Sequence, residues 1–122
     1  MGDFHVRERI ENITDRTKGV SIPRMLVDTG SEYTLVPGPT LKKLNVDREK
    51  KDLTFVMANG QKITRSVGFA IIRVEKNYTV DEVVFAEKGD LLLLGTLTLR
   101  GLSLRVDSRR KKLVASGPLP AA

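Results

Sequence analysis

An acid stands where an apolar run gives out: Met25-Leu26-Val27 leads directly into Asp28-Thr29-Gly30-Ser31. The run, with its β-branched valine and with Ile22 and Pro23 ahead of it, predicts the end of a buried strand. A chain built this way must lift a carboxylate out of its core at a tight bend. Gly30 gives that bend a backbone free to adopt positive φ or to let another group come close. Thr29 adds a hydroxyl on a side chain stiff at χ1. Taken alone, the motif also fits an Asp-Thr-Gly surface turn between two strands.

The rest of the chain reads as β almost throughout. Phe4, Val6, Glu8 and Ile10 alternate with His5, Arg7, Arg9 and Glu11, the pattern of a half-buried strand. Thr14 to Gly19 is a polar loop, and Val20 to Val27 is the returning strand. Tyr33 to Val36 is a short strand stopped by Pro37-Gly38-Pro39, after which Thr40 is placed to cap a helix whose Leu41 and Leu44 share a face. Asp47 to Asp52 reads as a charged loop. Leu53 to Met57 and Lys62 to Val67 flank Ala58-Asn59-Gly60-Gln61, where Asn-Gly signals a hairpin with two residues at positive φ. The second of these strands continues past Gly68, a site for a bulge or bend, to Val74, and Tyr78 to Phe85 returns. Leu91-Leu92-Leu93-Leu94 predicts a strand buried on both faces. Thr96 to Arg100 predicts a short helix with Gly101 at its C-cap, and Leu102 to Val106 and Leu113 to Ala115 two further strands. The expected fold is all-β: a mostly antiparallel closed barrel with one or two short helices. Residues 1–115 are expected to form one domain and 116–122 a flexible tail.

Composition narrows the chemistry. With no cysteine and one histidine, His5, the chain is poorly supplied for thiolate, Ser-His-Asp or multi-histidine zinc chemistry. Carboxylates remain as acid–base groups, and neither metal nor cofactor is expected. The net charge of +6 could mark a nucleic-acid binder. The cations are interspersed with acids except at Arg109-Arg110-Lys111-Lys112, which argues against nucleic acid as the partner. No apolar stretch approaches the roughly 20 residues that span a bilayer, and Met1 to His5 does not open a signal peptide. A cytoplasmic location is the expectation.

In order, the chain offers a strand ending in Asp-Thr-Gly, an Asn-Gly hairpin, and an apolar strand ending in Leu-Leu-Gly before a short helix. In this it resembles the single-domain aspartic proteases of the retropepsin-like group, in particular the small bacterial and archaeal members, from about Phe4 to Ala115. The resemblance implies that Asp28 is catalytic. It implies that Thr29 interlocks with the neighbouring subunit, supported by Gly30 and Ser31, and that the hairpin at Ala58, Asn59, Gly60 and Gln61 is a flap over bound peptide. Leu93, Leu94 and Gly95 match the motif that packs behind the catalytic loop. The hairpin departs from viral relatives in lacking multiple glycines, and from the pepsin type in having no Tyr or Trp near its tip.

Water activation at an amide needs one carboxylate as base and one carboxylic acid to polarise the carbonyl. The chain has one Asp-Thr-Gly; Asp107-Ser108 has no glycine beside it and sits in a basic turn. The reading is therefore a homodimeric aspartic endopeptidase that holds an extended peptide across its two-fold, each subunit giving one Asp28. The alternatives are a protease-like dimer that binds peptide without cutting, and a basic β-barrel that binds nucleic acid.

Overall fold

The structure is a computed structural model and describes residues 3–121. Nine strands and two short helices follow one another as β1 (Phe4–Glu11), β2 (Gly19–Val27), β3 (Thr34–Pro37), α1 (Gly38–Lys43), β4 (Lys50–Val56), β5 (Lys62–Val74), β6 (Asn77–Ala86), β7 (Leu93–Leu94), α2 (Thr96–Gly101), β8 (Leu104–Asp107) and β9 (Lys112–Ala115). Seven strands form one sheet in the order β1-β2-β7-β3-β6-β5-β4, and a further β1–β5 pairing largely closes it. The protein is all-β, as expected. Most ladders are antiparallel, but β2 runs parallel to β7 and β3 parallel to β6. The strands β8 and β9 form a separate two-stranded sheet. No helix among the described residues is long and apolar enough to cross a membrane.

Proline and glycine explain most places where the elements differ from expectation. The β1–β2 register shifts between Val6 and Glu8, opposite Pro23 and Arg24. Pro23 has no N–H for a ladder, and a bulge is where a strand tolerates that loss. The Pro-Gly-Pro segment does not merely stop β3: α1 begins at Gly38 with Pro39 in its first turn, where a missing N–H costs nothing. Thr40 therefore lies inside the helix rather than capping it. β4 starts three residues before Leu53 because Lys50 still pairs with Val67, across a register shift at which Asp52 adopts φ 56°. Gly68 does not bulge β5, whose pairing to β6 is unbroken. A Cβ there would stand 2.4 Å from the Asp47 carbonyl oxygen, so the glycine admits a crossing chain. Gly101 is the last residue of α2, and the left-handed residue beyond it is Ser103, at φ 58°.

One buried cluster fills the sheet's interior with Ile10, Val27, Val36, Leu41, Ile72, Val83, Phe85 and Leu94 among its members. A second, smaller cluster of Leu35, Val67, Val84, Ala86 and Leu93 has Leu26, Tyr33, Phe55 and Leu92 packed against it. Of the four consecutive leucines, only Leu93 and Leu94 form the buried strand; Leu91 is 66% exposed.

The β1 alternation carries one charge inward. Glu8 shares a face with Val6 and Ile10 and is 0% exposed, and neither carboxyl oxygen has a hydrogen-bond partner. Burial pushes this carboxyl up to about 8, so at neutral pH it is largely a neutral acid. Glu11, at the end of the same strand, is treated in the opposite way. Its carboxylate accepts hydrogen bonds from Arg73 and Arg9, which hold it below its ordinary value.

Candidate active site

Asp28 leaves the sheet at the end of β2, where that strand is held on both sides. Val27 is paired with Phe4 of β1 and with Leu94 of β7. The Asp28 N–H continues the second ladder by donating to Leu94 O at 3.2 Å. The chain then folds back on the carboxylate: Gly30 N–H donates to Asp28 Oδ1 at 2.8 Å, and Ser31 N–H donates to Asp28 O at 3.2 Å. Among the described residues no group of the same chain hydrogen-bonds Oδ2. Gly30 is not at positive φ. Its role is proximity, since a Cβ there would lie 3.2 Å from Oδ1.

The loop is anchored from behind by the start of α2. Thr96 N–H donates to Ser31 O at 2.8 Å and Leu97 N–H to Glu32 O at 3.1 Å. The first turn of a helix has N–H groups without helical partners. Here loop carbonyls take them, and α2 has no side-chain cap. Gly95 makes the approach feasible: a Cβ would fall 2.4 Å from Tyr33 O and 2.5 Å from Glu32 O. Ser31 Oγ adds a hydrogen bond to Tyr33 O at 3.1 Å.

A buried hydroxyl chain lies under this junction, outside every motif that the sequence offers. Gly95 N–H donates to Thr34 Oγ1 at 3.0 Å, Thr34 Oγ1 lies 2.6 Å from Thr98 Oγ1, and Thr98 Oγ1 donates to Asp81 Oδ2 at 2.9 Å. The ends fix the direction, because the amide can only donate and the carboxylate accepts. Thr34 must therefore give its proton to Thr98. Thr98→Val is expected to remove the acceptor for the Thr34 hydroxyl and cost about 1–3 kcal/mol, the penalty for stranding a buried polar group. Urea unfolding of the two proteins measures it. No local pattern announces this chain, since its members come from β3, β6 and α2.

Thr29 is exposed and lines an apolar cavity of about 320 Å³ with Leu99, Leu104, Val106 and Leu119. The hairpin residues Ala58, Asn59, Gly60 and Gln61 are exposed at the tip joining β4 and β5. The turn differs from the two-residue type: Met57 N–H donates to Gln61 O and Gly60 N–H to Met57 O, each at 2.8 Å, with Gly60 alone at positive φ (85°). Asn59 uses its side chain instead, with Oδ1 accepting from Gln61 N–H at 2.9 Å. At the hairpin's root, Phe55 meets Tyr33 edge-on at 5.2 Å between ring centres, which joins β4 to the segment just after the Asp28 loop. Arg65 forms a fork on Asp90, both bonds 2.8 Å, and holds β5 to the turn that precedes β7. The other acid that the sequence offers, Asp107, is occupied within the β8–β9 turn, where its Oδ1 accepts from Arg110 N–H.

An acid loop at the end of the parallel β2–β7 pair, backed by a short helix within a largely closed all-β sheet, is the architecture of a retropepsin-like aspartic protease domain. Residues 16–101 match the model of the family described as gag-polyprotein putative aspartyl protease, and the chain belongs to that family. No curated protein matches the chain.

Proposed function

We propose that the chain is an aspartic endopeptidase that works as a homodimer, with Asp28 and Asp28 of the partner subunit facing each other across a two-fold axis. The observation that carries this reading is the Asp28 carboxylate. One oxygen is fixed by Gly30 N–H, the other is free of partners among the described residues, and the loop is pinned at both ends by β7 and α2. A lone carboxylate so held can take a proton from water but cannot also polarise a carbonyl. A second copy supplies the missing acid.

In this mechanism the ionised member accepts a proton from water as the water oxygen bonds to the amide carbon. The protonated member donates to the carbonyl oxygen. As the C–N bond of the tetrahedral diol breaks, the carboxyl that took the proton from water gives it to the leaving nitrogen, and a diol hydroxyl returns its proton to the other carboxylate as the carbonyl re-forms, restoring the dyad with its one proton. Two carboxyls so close share one proton, so their titration belongs to the pair. Thr29 meets its counterpart beside the apolar cavity, an isologous contact of like patch with like patch. Asn59, Gly60 and the rest of the hairpin close over an extended peptide that hydrogen-bonds as an added strand.

Asp28→Asn is expected to lower peptide-library cleavage by at least about 10²–10⁴-fold, the range for losing a positioned acid–base group. In mixtures of the two proteins, activity should fall as the square of the unmodified fraction. Unchanged cleavage by the variant would end the mechanism, and a linear fall would end the shared dyad. Peptide binding with no products, by the unmodified protein, would favour the non-cutting dimer.

A further inference from the structure

The β8–β9 turn brings the Lys111-Lys112 half of the basic cluster against β1 and the end of β5. Together they enclose a cleft of about 640 Å³ whose lining includes Arg7, Arg9, Arg73, Lys111 and Lys112 against a single acid, Glu75. Arg9 and Arg73 both bind the one carboxylate of Glu11, which leaves them jointly in excess. Among the described residues, Arg7, Lys111 and Lys112 form no ion pair. Proteolysis at Asp28 does not call for this field.

Two further features specify the occupant. Among the described residues, β1 is paired with β2 alone from Phe4 to Glu8, its β5 ladder covering only Arg9 to Glu11, and β9 is paired with β8 alone. Phe4 to Arg7 and Lys112-Leu113 line the cleft, so it is bordered by two strands each with an edge open to another strand. The lining is also part apolar, through Phe4, Val6 and Leu113.

We propose that this cleft binds an extended peptide segment in which acidic residues alternate with apolar ones. Such a segment adds to an open strand edge, and its two faces then meet different partners: carboxylates on the cations, apolar side chains on the floor. A nucleic acid would match the cations but not the floor, and the lining offers two neighbouring rings, Phe4 and His5, where single-strand binders set out a row of them to stack successive bases. A second copy meeting this face on a two-fold would oppose the cations to themselves. The proposal does not depend on catalysis at Asp28.

The test is fluorescence anisotropy of the full chain, at low salt, with a labelled alternating Glu-Val peptide. Binding is expected, with at least about tenfold weakening in the Arg7→Ala/Lys112→Ala double variant, whose two side chains are exposed, and no binding of the Gln-Val counterpart. Asp28→Asn should bind as the unmodified protein does, which separates this cleft from the candidate active site. Absence of binding, equal binding of the Gln-Val peptide, or an unaffected double variant overturns the proposal. So does tighter binding of a single-stranded oligonucleotide of equal charge, or a shift of the monomer–dimer equilibrium in the double variant.

Discussion

Between pH 4.5 and pH 8 the protein is expected to lose stability steadily, and Glu8→Gln to lose much less. Glu8 has an ordinary value of 4.5 that burial raises to about 8 in the fold. Below 4.5 the carboxyl is protonated in folded and unfolded chains alike, and no difference arises. Above it the unfolded chain releases a proton that the folded chain keeps, so each pH unit favours unfolding by about 1.4 kcal/mol until the folded value is reached. Summed over that interval the effect is about 5 kcal/mol, comparable with the whole stability of a small domain. Glutamine leaves a buried amide and has its own cost, so the slopes against pH should be compared rather than the absolute stabilities. Glu8→Leu is expected to be the more stable protein at pH 8. Denaturant midpoints across the pH range decide the matter; parallel slopes for Glu8→Gln and the unmodified chain would show that Glu8 is not the group responsible.

Glu11 sets the other side of the profile. Its lowered value means that its contribution is present above 4.5 and is lost as pH falls through the folded value,. The most stable range therefore lies in mild acid, between the loss of Glu11's ion pairs below and the growing penalty of Glu8 above.

Gly95→Ala is expected to be the most damaging single methyl in the chain. The added carbon would lie 2.4 Å and 2.5 Å from two backbone carbonyl oxygens, and backbone has no rotamer through which to move away. Overpacking typically costs 1–3 kcal/mol and more where nothing can yield, so about 3 kcal/mol or above is expected. Because Thr96 and Leu97 hold the Asp28 loop through the same junction, any cleavage activity should fall together with stability. A midpoint within about 0.5 kcal/mol of the unmodified protein, the range of a neutral surface change, would contradict the packing. Gly60→Ala is a useful control: its Cβ meets nothing within 4 Å, and its cost comes from a φ of 85° alone.

The two glycines show what was legible in the sequence and what was not. Leu93-Leu94-Gly95 could be marked as a motif because an apolar run ending in glycine is visible locally. What the glycine is for depends on Glu32 and Tyr33, far away in the chain, and no window of sequence contains both. The strands were readable wherever alternation or an apolar run persisted. Their ends were not, because a bulge at Asp52 or a proline inside a first helical turn is decided by the partner strand or by φ. Glu8 was visible as a polar residue on an apolar face, yet the pattern predicted half-burial; its full burial depends on what the fold packs over that face of β1, which no local window shows. The Asp28 stretch was readable from the outset. The hydroxyl chain, the Tyr33–Phe55 contact and the Arg65–Asp90 fork were not, since the first two join elements brought together across the parallel pairings at the centre of the sheet and the third joins β5 to a turn beyond the end of β6.

Those pairings also put a clock on the candidate site. The strand that leads to Asp28 is synthesised well before its parallel partner, Leu93-Leu94, and before Thr96 and Leu97, whose amides fix the loop's carbonyls. Contacts this distant along the chain form late, because loop closure must precede them. A growing chain would therefore carry its Asp-Thr-Gly with nothing to hold it in place until those residues had been made. The carboxylate would acquire its setting only once Leu93 to Leu97 had emerged.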